Sequence, residues 1–280
     1  MSSARFEQPA SLSQVTDLLA AGGWSVLAGG TDVYPARVGR AMDGAWIDIT
    51  RVSGLRGIVE DASGWTFGAT TTWTDVLRAD LPPLFDALKQ AAREIGGVQI
   101  QNAATVAGNL CNASPAADAT PVWMALDAVA ALQSRDGERR VPVVDFVLAN
   151  RRTALAANEV VVGIHVPRRS TSARSVFLKL GGRRYLVISM TMVALVIDAD
   201  GAGRVAHIGA AVGSCSARAQ RLPALEARLI GGPLGALGCV DITDADLAPL
   251  SPIDDVRATA AYRLDATATL LRRALGALTT

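Results

Sequence analysis

The sequence predicts a mixed α+β protein built in two units, and three observations lead there. Over the first part of the chain, short apolar runs of strand length alternate with segments of helical apolar spacing, as in an α/β unit. Around RRSTSARS (168–175) polarity rises and the large apolar residues thin out, so the unit boundary is placed at 172, giving 1–172 and 173–280. Beyond it, MTMVALVID and VAHIGAAV flank an Asp-Ala-Asp-Gly turn, which specifies an antiparallel pair, and helical segments follow. With 280 residues, half of them apolar, the chain can bury most of its surface.

Taken in order, SLSQVTDLLAAGG (11–23) places Leu12, Val15, Leu18 and Leu19 on one helical face, with serines at its start and Gly22-Gly23 at its end. WSVLA (24–28) reads as a buried strand that stops at Gly29-Gly30-Thr31-Asp32. Strands are expected at 45–50, 55–60 and 64–70. Thr72 followed by Asp75 opens a helix with a relative of the capping box. A helix over 82–96 begins with proline and stops at Gly96-Gly97. The segment ATPVWMALDAVAAL tolerates Pro121 in a first helical turn. Asp136-Gly137 predicts a type I′ hairpin, and EVVVGIHVP (159–167) another strand. LPALEARLIGG forms a short helix. From Thr259 to Ala277, Leu264, Ala268, Leu271 and Leu275 share the face of a docking helix.

Composition excludes several classes of function. The 27 Lys and Arg against 26 Asp and Glu leave +1, too little to drive binding to nucleic acid or an acidic membrane. The arginine pairs at 139–140, 151–152, 168–169 and 183–184 read as solvated loop ends. Three distant cysteines, Cys111, Cys215 and Cys239, argue for a reducing compartment and against a disulfide framework or a cluster held by this chain. His165 and His207 sit between apolar strand neighbours and read as packed or edge histidines. No run reaches the roughly 18 apolar residues of a membrane span, and the first residues lack a signal-peptide core, so the expected location is the cytoplasm.

Two stretches carry chemistry. Gly29-Gly30-Thr31 can present converging backbone N–H groups to a diphosphate, because glycine has no Cβ to hold the ligand away. It lacks the spacing of a Rossmann fingerprint. TVAGNLCNASPAAD (105–118) offers hydroxyl, amide and backbone donors at Thr105, Gly108, Asn109, Asn112 and Ser114, and suits an extended polar cofactor. Asp118, an acceptor, suits sugar hydroxyls or a helix cap. No nucleophile elbow, zinc motif or His–Cys pairing is present, so any reaction falls to a bound cofactor and no side chain is assigned as catalytic.

LAGGTDV (27–33) and TVAGNLCNASPAAD together resemble the FAD-binding medium subunit of the molybdenum hydroxylases, the xanthine dehydrogenase and carbon monoxide dehydrogenase type. GATTTWTDV, EVVVGIHVP, FLKLGGRRY and YRLDATATLLRRAL extend the likeness in the family's order along nearly the whole chain. The resemblance implies a two-subdomain FAD domain of the vanillyl-alcohol-oxidase (PCMH) type, then a smaller α+β domain with a three-stranded antiparallel sheet. It implies noncovalent FAD against Ser25, Val26, Leu27, Ala28, Gly29, Gly30, Thr31 and Asp32, and against Thr105, Val106, Ala107, Gly108 and Asn109. Asp118 corresponds to an aspartate on the cofactor's hydroxyls, Val161 to a residue at the adenine end and Lys179 to a lysine near the flavin ring. Ala107 departs from the glycine usual there. The implied partners are an iron–sulfur small subunit with [2Fe-2S] clusters and a large subunit with molybdopterin, as a dimer of heterotrimers. Electrons then pass through FAD to NAD+, oxygen or quinone. The alternative is a freestanding FAD-dependent oxidoreductase acting directly on a small substrate.

Overall fold

A computed structural model describes residues 4–279. The chain opens with β1 (Arg5–Glu7), α1 (Leu12–Ala21), β2 (Trp24–Leu27) and β3 (Ala45–Asp48), which form a parallel sheet in the order β1-β3-β2. Ser11 accepts the N–H of Gln14, and the Gln14 side chain returns to the N–H of Ser11, so the helix starts at a complete capping box. Its buried face, Val15 and Leu19, packs on Ile47, Ile49, Val52, Leu55 and Val160.

A second layer follows: β4 (Ile58–Asp61), β5 (Gly64–Gly68), α2 (Trp73–Arg78), α3 (Asp86–Glu94), α4 (Val98–Ala103), α5 (Val106–Asn112), α6 (Ala119–Ala125), β6 (Val129–Ser134), β7 (Gly137–Pro142), α7 (Val143–Phe146), β8 (Val147–Ala149), β9 (Arg152–Thr153) and β10 (Val160–Pro167). Its five-stranded antiparallel sheet runs β4-β5-β10-β6-β7. Phe67 contacts both Phe85 and Trp123 with ring centroids 5.3 and 5.2 Å apart, tying the sheet to the helices over it.

Several elements differ from expectation. The strand expected at 55–60 begins only at Ile58, because the Leu55 carbonyl accepts both the N–H and the hydroxyl of Thr70 and so belongs to a turn. The helix over 82–96 is a 3-10 turn, Pro83–Phe85, followed by α3, and α4 was not anticipated. The hairpin at 136–137 exists, but neither Arg135 nor Asp136 adopts the positive φ of a type I′ turn; Gly137 alone carries it (φ 139). There the Ser134 hydroxyl accepts the Asp136 N–H, which holds the turn in a different form.

The remaining elements are β11 (Arg174–Leu180), β12 (Thr191–Ala199), β13 (Val205–Gly213), β14 (Gln220–Arg221), α8 (Pro223–Leu229), α9 (Asp244–Leu247) and α10 (Ala260–Ala277). Their antiparallel sheet has four strands, β11-β12-β13-β14, rather than three; the fourth is two residues long and carries no alternation to read. Both faces of β12 are covered, which explains its unbroken apolar sequence. Met192, Ala194 and Val196 join the core of the preceding unit, while Val193, Leu195 and Ile197 join the core under α10.

A cluster of charges pins the two units together. The Asp127 carboxylate, just after α6, accepts Arg221 Nη1 at 2.6 Å and a bond from Arg169, and His207 Nε2 lies 3.2 Å from it. Arg221 also donates to the Met124 carbonyl and to Glu226. Burial alone would raise the carboxyl's pKa; His207 and Arg221 overcome that and hold it at about 2. A depressed folded pKa contributes stability above the unfolded value of roughly 3.9, lost as pH falls through about 2. Asp127 is still 36% exposed, so screening limits the contribution to roughly 1 kcal/mol. Thermal unfolding from pH 2 to pH 7 should therefore show Asp127→Asn a few degrees below wild type at neutral pH, with the two converging in acid. A constant difference at all pH values would contradict this account.

Candidate functional site

The glycine loop after β2 lies against the end of α4. A Cβ on Gly29 would stand 1.8 Å from the Ala103 carbonyl oxygen, so only glycine lets these two segments meet. Gly30 turns the chain with φ +68, and its carbonyl accepts the N–H of Tyr34, whose ring covers it. The N–H groups of Gly29, Gly30, Thr31, Asp32 and Val33 have no protein acceptor among the described residues. Five successive donors left open beside a cleft form a surface for an anion.

That cleft has a volume of about 920 Å³, near the top of the roughly 300–1,000 Å³ typical of small-molecule sites. Ser25, Val26, Leu27, Ala28, Gly29, Gly30, Thr31 and Asp32 line it, and so do Thr105, Ala107, Gly108, Asn109 and Asp118, together with Val161 of β10. The two sequence stretches thus face one space. Val106 is fully buried and points into the core rather than the cleft. Lys179 borders a neighbouring cavity of about 530 Å³ and joins the first only through Asp118.

The second stretch is not the open polar loop expected. Thr105 caps α5, its hydroxyl accepting the Gly108 N–H at 3.0 Å. The N–H groups of Val106, Ala107 and Asn109 go to the carbonyls of Thr71, Ala69 and Thr105. No backbone donor remains over 106–109, so the stretch contributes side chains and shape. A Cβ on Gly108 would fall 2.8 Å from the Thr105 hydroxyl, and Ala107, 5% exposed, fits where it stands. The Asn109 side-chain oxygen is buried and unpartnered, a polar atom that a ligand in the cleft would satisfy. Cys111 also borders the cleft, and burial pushes its thiol up to about 12, which keeps it protonated and unreactive.

Asp118 opens α6 without capping it. Its oxygens accept Lys179 Nζ at 2.7 Å and the Ser189 hydroxyl at 2.8 Å, and both members of the ion pair are under a tenth exposed. Burial raises the Asp118 carboxyl above the usual range, with Lys179 and Ser189 opposing it. The carboxylate's remaining lone pairs are free for a hydroxyl donor.

Other lining residues carry no local signal in the sequence. Glu94, Ile100 and the run Leu186, Val187 and Ile188 reach the cleft only through folding. Nor are all the arginine pairs solvated loop ends. Arg151 bonds the Asn112 side chain and lines the cleft, Arg139 holds Glu159, and Arg183 and Arg184 line the smaller cavity.

Comparison with known proteins bears directly on this cleft. The model of the FAD binding domain in molybdopterin dehydrogenase matches residues 2–169, and that of the CO dehydrogenase flavoprotein C-terminal domain matches 176–278. The carbon monoxide dehydrogenase medium chain of Hydrogenophaga pseudoflava is 30% identical over 257 residues, 90% of this chain and 88% of that one. The glyceraldehyde dehydrogenase medium chain of Sulfolobus acidocaldarius is 30% identical over 250 residues, covering 89% and 88%. A solved carbon monoxide dehydrogenase from H. pseudoflava superposes with a TM-score of 0.88 at 30% identity over 99% of this chain and 97% of that one. The chain belongs to the family of FAD-binding subunits of the molybdenum hydroxylases, of the carbon monoxide and xanthine dehydrogenase type, and is an oxidoreductase subunit.

Proposed function

We propose that this chain holds FAD noncovalently in the large cleft and relays electrons from the [2Fe-2S] clusters of a small partner subunit to NAD+, oxygen or quinone. The row of unpaired amides from Gly29 to Val33 carries this reading, since it supplies neutral donors for a diphosphate where the cleft offers few cations. Bound FAD supplies the redox chemistry; the protein sets its place and surroundings. In this reading Ser25, Val26, Leu27 and Ala28 line the approach, and Thr31 and Asp32 complete the loop. Thr105 and Val106 fix α5, and Ala107, Gly108 and Asn109 form the facing wall. Asp118 accepts hydroxyls of the cofactor, Val161 packs at its adenine end, and Lys179 lies near its ring, where a cation stabilises an anionic reduced ring.

The same reading assigns 1–172 to a PCMH-type FAD domain and 173–280 to the second domain. It makes the chain the middle member of a cytoplasmic assembly with a molybdopterin-binding large subunit, a dimer of heterotrimers. Reconstitution tests its first step: the purified chain, incubated with FAD and desalted, should retain about one flavin per chain by absorbance. A folded chain that retains none rules the reading out.

A further inference from the structure

Arg263, near the start of α10, is 3% exposed, and a guanidinium so buried needs acceptors for its N–H groups. Its Nη2 donates to Asp255 Oδ1 at 2.7 Å, and its Nη1 donates to two backbone carbonyls, those of Met190 at 2.5 Å and Ser214 at 3.2 Å. One turn on, the Thr267 hydroxyl lies 2.6 Å from that of Thr191 and 3.4 Å from Cys215 Sγ, all three residues being buried. Two successive turns of one helix therefore grip the same two places in the chain, residues 190–191 and residues 214–215.

Both places lead to the large cleft. Met190 closes the loop between β11 and β12, its N–H donating to the Leu180 carbonyl at 2.8 Å. Within that loop Leu186, Val187 and Ile188 line the cleft, and the Ser189 hydroxyl donates to Asp118. Ser214 follows β13 with a left-handed φ of 64, and its N–H donates at 3.0 Å to the carbonyl of Pro115, between the cleft-lining Ser114 and Ala116. Arg263 itself does not line the cleft. A planar guanidinium presents its donors in fixed directions, so its bonds fix the two carbonyls relative to each other and to α10. We infer that Arg263 is a positioning residue for the cleft: from the second unit it sets the loop of Leu186 to Ser189 and the turn at Pro115 on either side of Asp118. Its effect on a flavin rests on the function proposed above; its hold on the two segments does not.

Amide hydrogen exchange and FAD titration of the full chain test this in Arg263→Met. Leu275→Ala, which opens the core under α10 about three turns further along and touches neither segment, is the control for lost stability. In the flavin-free chain the Met190 and Ser214 amides, bonded to Leu180 and Pro115, should exchange at least about tenfold faster in Arg263→Met than in Leu275→Ala. FAD should bind about tenfold more weakly to Arg263→Met than to wild type, and within about twofold of wild type to Leu275→Ala. If Arg263→Met does not fold, Arg263→Lys, which keeps a charge beside Asp255 but not the fork, is compared in the same way and should still show about threefold in both measurements. Equal exchange at Met190 and Ser214 in the arginine variant and the control would overturn the inference, since Arg263 would then serve the fold alone. So would faster exchange with FAD affinity unchanged. If wild type takes up no FAD, the flavin reading fails by itself and the exchange comparison still decides whether Arg263 sets the two segments.

Discussion

Gly29→Ala is expected to lower FAD affinity at least about a hundredfold and to destabilise the chain by roughly 1–3 kcal/mol or more, the range for overpacking a filled site. The atom met is a backbone oxygen, Ala103 O at 1.8 Å, with the carbonyl carbon at 2.5 Å, so no side-chain rotation relieves the clash. Either the glycine loop retreats from α4 or α4 moves. In both cases the amides of residues 29–33 lose their place relative to Asn109 across the cleft. At roughly 2–4 °C per kcal/mol for a chain somewhat smaller than this one, the melting temperature should fall by several degrees. Gly235→Ala, whose added methyl meets open space, serves as the control and should stay within about 0.5 kcal/mol of wild type. Flavin fluorescence titration alongside thermal melts reads both effects. Wild-type affinity and melting temperature in Gly29→Ala would show that the loop does not need this contact.

The second large effect concerns Lys179. Replacing it with methionine leaves Asp118, 7% exposed, with the Ser189 hydroxyl as its one remaining side-chain donor among the described residues. Removing one partner of a buried pair costs about 3–5 kcal/mol, because the other charge stays desolvated. That is a large part of the roughly 5–15 kcal/mol by which proteins are stable. The pH dependence has a definite sign. The Asp118 carboxyl is already raised by burial, and loss of the cation raises it further. A folded pKa above the unfolded one favours the folded state most below about 3.9 and progressively less as pH rises through the folded value. The Lys179→Met deficit should therefore be small near pH 4 and grow toward pH 8. Adding Asp118→Asn should recover most of it and flatten the profile. Urea unfolding of wild type and the two variants at several pH values decides this; a deficit that does not vary with pH would mean that Asp118 is not the group responsible.

Much of the architecture was legible because local chemistry repeats at the period of the element. The Ser11 cap, the Gly22-Gly23 stop and the apolar stripe of α1 agree with one another, and so do Thr259 and the buried face of α10. The β12–β13 pair announced itself through two apolar runs around a tight turn. The misread pieces were those whose conformation depends on distant partners. Residues 106–109 look like a donor-rich loop until Thr71 and Ala69 take up their amides. β14 is too short to show a period, and Leu55 is drawn out of a strand by Thr70.

By itself the sequence determined the alternation of helices and strands, the glycine turn after β2, the change of texture near 172 and the family resemblance, because each is written in neighbouring residues. The tertiary structure alone decided that the open amides belong to the glycine loop and not to α5, that Asp118 pairs with Lys179 instead of capping a helix, and that Arg93, Arg183 and Arg184, with no carboxylate partner among the described residues, border a second cavity. These are contacts between residues tens of positions apart. Their energies depend on distance and burial, and no local pattern encodes either before the chain has folded.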